Sequence, residues 1–472
     1  MKKESPVISR RKFFGQASCA AISGVSVLNT LLNLRLAGDL AAAEPPADNE
    51  YRALVCLFLN GGNDSYNMLI PRGDAEYAEY ATIRQDLALA KDSLLPINPQ
   101  NSIGKQLGVH PGMPEIANLF EAGKAAFIAN VGTLVEPVTK AQYNANSVSL
   151  PLGLFSHSDQ TEQWQTSVPQ SRAGIGWGGR MADLLHSLNG NQKVSMNISL
   201  NGSNVWQAGR NVTEYAITSA GAVGLANYRP AWQVNDNLVQ ARSAGVDRQL
   251  NAQYNNLLAQ AFATSKRNSV EAYTSFAAAT NLTLPEEATF PDENPLSAPF
   301  QMIAKTIAGR TALGVTRQTF FISLGGWDHH DEVVANQNRM LPYVSGAVGA
   351  FYNALALLGV ENQVTLFTAS DFGRTLTSNG RGSDHAWAGN HFVVGGGVNG
   401  RRIYGQYPDL YQGSPLDVGR GRLIPTTSVD AYFAELALWL GVSKSSLPLV
   451  LPNIANFYST SSSAPPVGFM LS

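Results

Sequence analysis

The sequence predicts an α/β protein with a doubly wound, mostly parallel central sheet flanked by helices. Apolar runs short enough to be strands recur along the chain, and helix-like stretches separate them. The runs are continuous rather than alternating, which is typical of parallel strands covered by helices on both faces. The chain has 472 residues, 44% of them hydrophobic and 14% charged, which indicates a packed globular protein with a large core.

Five apolar runs are predicted to be strands, and helical patterns lie between them. The strands are, in order, Ala53–Leu59, Ala125–Val131, Thr319–Leu324, Val364–Thr368 and His391–Val394. The helices are Met113–Gly123, a longer one with a face made of Leu250, Tyr254, Leu257, Leu258, Ala261 and Phe262, then Pro299–Leu313 and Met340–Leu358. The last two helices each precede a strand, and this alternation favours a doubly wound sheet.

The first 43 residues have the order of a twin-arginine export leader. A Ser-Arg-Arg-Lys-Phe-Phe block at residues 9–14 precedes a weakly apolar run, and an Ala-Ala-Ala cleavage site ends at Ala43. The run contains Asn29, Asn33, Arg35 and Asp39, so we expect no stable membrane anchor. The leader therefore predicts passage through the Tat translocase and a periplasmic or extracellular mature protein.

The mature chain, residues 44–472, is predicted to be a single α/β domain with a helical insertion at about 201–295. That insertion is richer in Asn, Ser and Ala than its surroundings. Only Cys56 remains after the leader is removed, so no intrachain disulfide can form. The net charge of −2 gives no electrostatic reason to expect a nucleic-acid partner.

Polar clusters follow the predicted strands. In open parallel sheets, ligands bind beyond the carboxyl ends of the strands. Four such clusters occupy residues 60–65 with Asp64, 325–331 with Asp328 and His330, 369–374 with Asp371 and Arg374, and 382–391 with Asp384, His385 and His391. Carboxylates and imidazoles gathered from several strand ends suit zinc, manganese, magnesium or calcium, so we expect a divalent-metal site.

The same clusters also have structural explanations. Asp64, after Gly-Gly-Asn, could simply cap a turn. Asp331 and one of the adjacent histidines are expected to point away from a shared site, since neighbouring residues of an extended segment face opposite sides. His157 lies in a polar Phe-Ser-His-Ser-Asp-Gln block that closes a long loop before a predicted helix, and it is less easily explained by packing.

Together these motifs resemble an exported bacterial family, domain of unknown function 1501. The resemblance rests on the leader, Leu-Asn-Gly-Gly-Asn-Asp-Ser from Leu59, His-Pro-Gly-Met from His110, Ser-His-Ser-Asp-Gln from Ser156, Gly-Gly-Trp-Asp-His-His from Gly325, Ser-Asp-Phe-Gly-Arg-Thr from Ser370 and the Asp384–His391 block. The family is similar to the alkaline phosphatase and sulfatase superfamily, which acts on phosphate or sulfate esters with two metals and a side-chain nucleophile.

The superfamily resemblance implies roles for the site residues. Asp64 would be the ligand after the first strand, Asp328 and His330 would bind one metal with His391, and Asp371, Asp384 and His385 would serve the second. Ser158 is the first candidate nucleophile because it opens a helix, where backbone N–H groups and the helix dipole favour an anion. Ser65, Ser167 and a metal-bound water are alternatives. Arg374 could pair with ester oxygens, although an arginine paired with an aspartate is equally consistent with the sequence.

The chain also departs from the superfamily pattern. The stretch Ser167-Val-Pro-Gln-Ser-Arg172 is one residue too long for a formylglycine-type sulfatase motif, and Asp328-His-His330 is a shortened spacing that calls the second metal into question. Two hypotheses follow. One is an exported metal-dependent hydrolase of small-molecule or polymeric phosphate or sulfate esters. The other is a catalytically degenerate metal-binding or surface-assembly protein.

Overall fold

A computed structural model describes residues 50–226, 228–229 and 236–471. The predicted leader lies outside the described residues. The strands are β1 (Arg52–Asn60), β2 (Leu69–Pro71), β3 (Leu95–Ile97), β4 (Leu107–Val109), β5 (Ala125–Gly132), β6 (Asn197–Ser199), β7 (Tyr215–Thr218), β8 (Gly221–Ala222), β9 (Arg317–Gly325), β10 (Val364–Ser370), β11 (Gly389–Val394), β12 (Ile403–Tyr404) and β13 (Thr427–Ser428).

Twelve α-helices are present among the described residues. They are α1 (Asp74–Arg84), α2 (Pro114–Glu121), α3 (Lys140–Ala145), α4 (His157–Thr166), α5 (Trp177–Leu185), α6 (Asn237–Asn251), α7 (Leu257–Thr280), α8 (Ser297–Ala308), α9 (Arg310–Leu313), α10 (Val333–Leu357), α11 (Val429–Leu440) and α12 (Leu447–Val450). Short 3-10 turns connect several of them.

The described residues form a ten-stranded mixed sheet in the order β12-β5-β11-β10-β1-β9-β6-β7-β8, with β13 also pairing with β5. β1 lies at its centre and pairs in parallel with both β9 and β10. β11 is antiparallel to β10 and to β5, and β8 is antiparallel to β7. The predicted doubly wound, mostly parallel sheet is confirmed.

β1 shows why its sequence run is continuously apolar. Val55 and Leu57 belong to the large core cluster on one face of the sheet, which also contains Leu341 and Phe351 of α10. On the opposite face, the ring of Phe58 lies 6.1 Å from that of Phe321 and belongs to a buried aromatic layer. In that layer Trp177 of α5 stacks on Phe433 of α11 with ring centroids 4.4 Å apart, so helices cover both faces.

α10 is long and apolar enough to cross a membrane by length and composition alone. Its apolar character has another source in this fold. Leu341, Val344, Ala347, Val348 and Phe351 pack in the main core, and half of its most apolar window is buried inside the protein. α10 is therefore the central helix on one face of the sheet.

Two expectations about individual elements need correction. The run His391–Val394 does form a strand, but it is antiparallel, because only residues 371–388 separate it from β10 and no helix crosses over. The predicted helical face from Leu250 to Phe262 is interrupted between Asn251 and Leu257. Leu257 and Phe262 are exposed rather than packed in the core.

Residues 201–295 contain β7, β8, α6 and α7, and they are joined to the sheet rather than detached from it. β7 pairs with β6, and Tyr215 of β7 packs on Phe276 of α7 with ring centroids 5.5 Å apart. The described residues, 50–226, 228–229 and 236–471, belong to one compact unit.

Candidate metal centre

Four chain segments meet at one edge of the sheet. β1, β9 and β10 are adjacent and parallel, so the loops after them, which carry Asp64, Asp328 and Asp371, emerge together. β11 runs the opposite way, and the residues before it, including Asp384 and His385, therefore reach the same edge. The antiparallel strand is thus what brings the last polar segment to the site.

The turn after β1 packs tightly against its neighbours. Gly61 has a φ of +122°, and a Cβ added to it would lie 2.6 Å from the backbone nitrogen of Asp328. Gly62 has a φ of +83°, and a Cβ there would lie 2.5 Å from the ring of Phe372. Glycine is needed at both positions because both the conformation and the space exclude a side chain.

Arg374 is fully buried and fastens these loops to one another. Its Nε donates to the carbonyl oxygen of Gly62 at 2.8 Å, its Nη1 to that of Ser383 at 3.0 Å, and its Nη2 to that of Gly61 at 2.5 Å. Nη2 also pairs with the Asp328 carboxylate. The guanidinium is fully buried and pairs with an aspartate, which is the alternative that the sequence left open, while pairing with ester oxygens stays a prediction.

Within the described part of the chain, one group of three side chains could hold a metal ion. His157, Asp328 and His385 each offer a ligand atom, and these atoms lie within 4.8 Å of one another. His157 Nε2 is 3.3 Å and His385 Nε2 is 3.4 Å from Oδ1 of Asp328. His330 adjoins the group, with its Nε2 3.1 Å from the same Asp328 oxygen and 2.8 Å from His385 Nε2.

The far ring nitrogen of each histidine is hydrogen-bonded away from the group. His157 Nδ1 lies 2.7 Å from Oδ2 of Asp371, and His330 Nδ1 lies 3.1 Å from Oδ1 of Asp384. His385 Nδ1 lies 2.8 Å from the carbonyl oxygen of Phe155. Metal-binding histidines have this outer arrangement, in which a carboxylate or carbonyl fixes the ring orientation and tautomer.

The donor set fits a divalent cation. Carboxylates and carbonyls only accept hydrogen bonds, so each of the three Nδ1 atoms carries a proton, and in a neutral ring the lone pair is then on Nε2, the atom nearer Asp328 Oδ1. Buried His157 Nε2 has no hydrogen-bond partner among the described residues, and His330 and His385 bring two Nε2 atoms to 2.8 Å. Either a proton or a metal ion must lie among these lone pairs, and Zn–N distances of about 2.0–2.1 Å suit such a cluster.

Electrostatics support a charged Asp328. Burial alone would raise its pKa, but the hydrogen bond from Arg374 and the nearby histidines lower the pKa to about 2. The hydrogen bond to Asp371 raises the pKa of His157, whereas burial lowers that of His385. A permanent carboxylate beside a ring that loses its proton easily favours binding of a cation.

The group opens into a cleft of about 540 Å³ lined by Asn60, Gly61, His157, Ser158, Thr161, Asp328 and Asp371. Ser158 stands in the first turn of α4, and its hydroxyl lies 3.1 Å from that of Ser156. The two alternative nucleophiles are elsewhere. Ser65 is buried and accepts a hydrogen bond from the Asn390 backbone, and Ser167 is fully buried at the far end of α4.

Asp64 is placed in a different environment from the one expected of a metal ligand. Its carboxylate is fully buried and lies 2.6 Å from Nη2 of Arg84, which is also fully buried. Ser383 Oγ donates to the same carboxylate oxygen at 3.0 Å. The positive partner of Asp64 is therefore a guanidinium from α1, and the position predicted for a ligand holds an internal ion pair.

Three other predicted ligands also lie outside the group. Asp371 and Asp384 are the hydrogen-bond partners of His157 and His330, one step behind the ligand atoms. His391 lies inside β11 with its ring centroid 4.6 Å from that of Trp164, and burial lowers its pKa to about 3. His391 therefore lies in the packed layer beneath the sheet edge rather than with Asp328 and His330, and its predicted role as a metal ligand stays a prediction.

The family of the chain is decided by its sequence match. Residues 51–419 match the model of the family described as protein of unknown function (DUF1501). The chain belongs to this family. The match includes all three residues of the His157, Asp328 and His385 group. No curated protein matches the chain.

Solved structures similar to this DUF1501 protein are distant. A lipoteichoic acid synthase, LtaP, from Listeria monocytogenes is 8% identical over 80% of this chain and 77% of that one, with a TM-score of 0.30. Lipooligosaccharide phosphoethanolamine transferase A from Neisseria meningitidis is 12% identical over 93% and 71%, also at 0.30. The alkaline phosphatase PafA is 13% identical over 70% and 64%, at 0.25. The fold of the DUF1501 protein is therefore described by its own strand order, not by these similarities.

His157 is the member of the group that the ligand prediction omitted. His157 is the first residue of a helix. An expectation based only on the residues that follow strands therefore does not include it. The available signal was the polar Ser-His-Ser-Asp-Gln block at the close of a long loop.

Proposed function

We propose that this DUF1501 protein is a metal-dependent hydrolase of phosphate or sulfate esters. The observation that supports this best is the grouping of His157, Asp328 and His385, two of which, His157 and Asp328, line an open cleft. Their side chains are 34%, 47% and 25% exposed, so solvent reaches the group, although Nε2 of His157 is itself buried. The ester class comes from the resemblance of the motifs to the phosphatase and sulfatase superfamily.

A single ion fits the described residues better than two. Asp64, the predicted anchor of a further ion, is neutralised by Arg84, and Asp371 is occupied by His157. His157, Asp328 and His385 would hold the ion, with His330 beside them. Imidazole-rich sites favour zinc over magnesium or calcium, which prefer oxygen ligands. A bound ion would supply Lewis acidity and lower the pKa of a coordinated water.

The substrate anion would lie against the start of α4. The N-terminal N–H groups of a helix and its dipole favour an anion, and Ser158 is at that end and lines the cleft. We propose Ser158 as the attacking group, displacing the alcohol from phosphorus or sulfur. Water would then release the acid and restore the serine.

The test is metal analysis of protein purified without chelator, paired with assays on aryl phosphate and aryl sulfate. We expect a single tightly bound ion per chain, and turnover that disappears in His157→Ala and His385→Ala. His186→Ala is the matched control, because His186 is partly buried but lies outside the cleft. Ser158→Ala should abolish turnover while the metal content stays unchanged. Full activity in that variant would refute Ser158 as the nucleophile and indicate attack by a metal-bound water.

One observation favours a second candidate, a metal-binding protein without ester turnover. His330 lies close enough to the group to act as a fourth protein ligand, and four protein ligands are typical of structural zinc sites. A bound metal with no turnover on either ester would support this candidate. Activity that rises in His330→Ala would favour the hydrolase, because an open coordination position would then be limiting.

We also propose that the protein works in the periplasm or outside the cell after Tat export. The support is the Arg10-Arg11 pair within its leader context. Replacing both arginines with lysine should leave the precursor in the cytoplasm, as measured by fractionation. Normal export of the lysine pair would refute the proposed route.

A further inference from the structure

We infer that Asp371 is a positioning residue that sets the tautomer of His157 and so keeps its Nε2 available for a metal. This inference rests on the proposed metal centre and adds a role to it. Asp371 was predicted to be a ligand, whereas the structure places it behind one.

Asp371 is fixed on both sides. It is buried, and its Oδ1 accepts the backbone N–H of Gly61 at 2.9 Å, which ties it to the turn after β1. Its Oδ2 lies 2.7 Å from Nδ1 of His157. A carboxylate can only accept hydrogen bonds, so Nδ1 must be the protonated nitrogen, and a neutral His157 keeps its lone pair on Nε2.

The direction of that lone pair is what makes the role specific. His157 Nε2 is buried, has no hydrogen-bond partner among the described residues, and lies 3.3 Å from Oδ1 of Asp328. His385 repeats the pattern with a backbone acceptor, and His330 repeats it with Asp384, which is partly exposed and also paired with Arg420. Asp371 is the acceptor with both oxygens committed inside the protein, so its substitution should have the clearest effect.

Asp371→Asn is the informative change because it preserves shape and inverts one hydrogen bond. The amide oxygen can still accept from Gly61, which directs the NH₂ group at His157 Nδ1. Nδ1 must then accept, and the ring proton moves to Nε2, where it blocks coordination. We expect zinc affinity to fall roughly 10- to 100-fold, the usual effect of losing an outer partner of a ligand histidine.

Asp183→Asn is the matched control. Asp183 accepts backbone N–H groups of Arg210 at 2.7 Å and of Val212 at 2.9 Å, and it is not among the residues that line the cleft. The same chemical change there should leave zinc affinity within twofold of the parent. Asp371→Asn in a His157→Ala background should add no further loss, since its effect passes through that ring.

The experiment combines zinc titration against a chromophoric chelator with ¹⁵N spectra of the histidine rings in metal-free protein at a pH where the rings are neutral. We expect Nδ1–H at His157 in the parent and Nε2–H in Asp371→Asn. Equal zinc affinity of parent and variant, or an unchanged tautomer, would overturn the inference. Failure of the parent to bind any divalent metal would instead refute the proposed function, and the ring spectra would still decide the role of Asp371.

Discussion

Asp430 is a buried acid at the start of α11, and replacing it with asparagine should remove a pH-dependent cost to folding. The side chain is fully buried, and neither carboxylate oxygen makes a well-formed hydrogen bond to the described residues. Burial raises its pKa to about 7 from 3.8, with the nearby Ser167 hydroxyl and Arg180 charge opposing the rise only in part. Between about pH 4 and pH 7, Asp430 is therefore protonated in the folded protein and ionised in the unfolded chain.

The sign and size follow from linkage. Since the folded pKa is the higher one, stability from this group is complete below about pH 4 and is lost as the pH rises toward 7. The loss is about 1.4 kcal/mol per pH unit across that window and about 4 kcal/mol in all. Asparagine does not titrate, so the difference between parent and variant should change by this amount even though other groups titrate too.

The assay is urea unfolding of parent and Asp430→Asn at pH 4, 5, 6, 7 and 8, with chelator present so that metal binding does not contribute. The free energy of unfolding of the variant should depend less on pH, and it should rise relative to that of the parent as the pH rises. Asp292→Asn, an exposed substitution, is the control and should follow the parent. Parallel stability curves for parent and Asp430→Asn across this range would refute the reasoning.

Three further predictions concern the charged framework of the site. Asp64→Asn leaves Arg84 buried without its counter-ion, and urea unfolding should show a loss of about 3–5 kcal/mol, whereas a loss under 1 kcal/mol would mean that the pair is not buried as described. Arg374→Lys cannot replace the fork that joins the Gly61, Gly62 and Ser383 carbonyls, so both unfolding stability and zinc affinity should fall, and unchanged affinity would argue against a positioning role. Zinc at 100 times its Kd should stabilise the parent by about 2.7 kcal/mol in a thermal melt and should not stabilise His157→Ala.

The central sheet could be predicted because its strands are chemically distinctive. β1, β9 and β10 are covered on both faces, and only continuous apolar runs satisfy that environment. The direction of β11 could not be obtained in the same way, since a buried antiparallel strand has the same apolar composition. The broken helical face near Leu257 misled the prediction because helical spacing of apolar residues does not distinguish a packed face from an exposed one.

The sequence indicated which residues of the site reach the sheet edge, but it could not show which side chain pairs with each of them. Asp64, Asp328 and Asp371 each follow one of three neighbouring strands, and the sequence around them does not show which cation or donor reaches each carboxylate. What separates them is long-range: Arg84 from α1 neutralises the first, His157 from α4 occupies the third, and Asp328 is left facing the cleft. A carboxylate's role is set by which cation or donor reaches it in the fold.

That distribution also bears on how many metal ions the proposed site would hold. A buried carboxylate needs a positive partner, and either a metal or a guanidinium can supply the charge. At Asp64 the positive partner is the guanidinium of Arg84. Asp328 pairs with Arg374, and its Oδ1 is also the only carboxylate oxygen among the described residues that lies near several histidine Nε2 atoms. If Arg84→Met were found to bind an additional metal at Asp64, the guanidinium would be shown to stand in place of that ion. No additional metal in a folded Arg84→Met variant would mean instead that the pocket around Asp64 lacks the further ligands an ion requires.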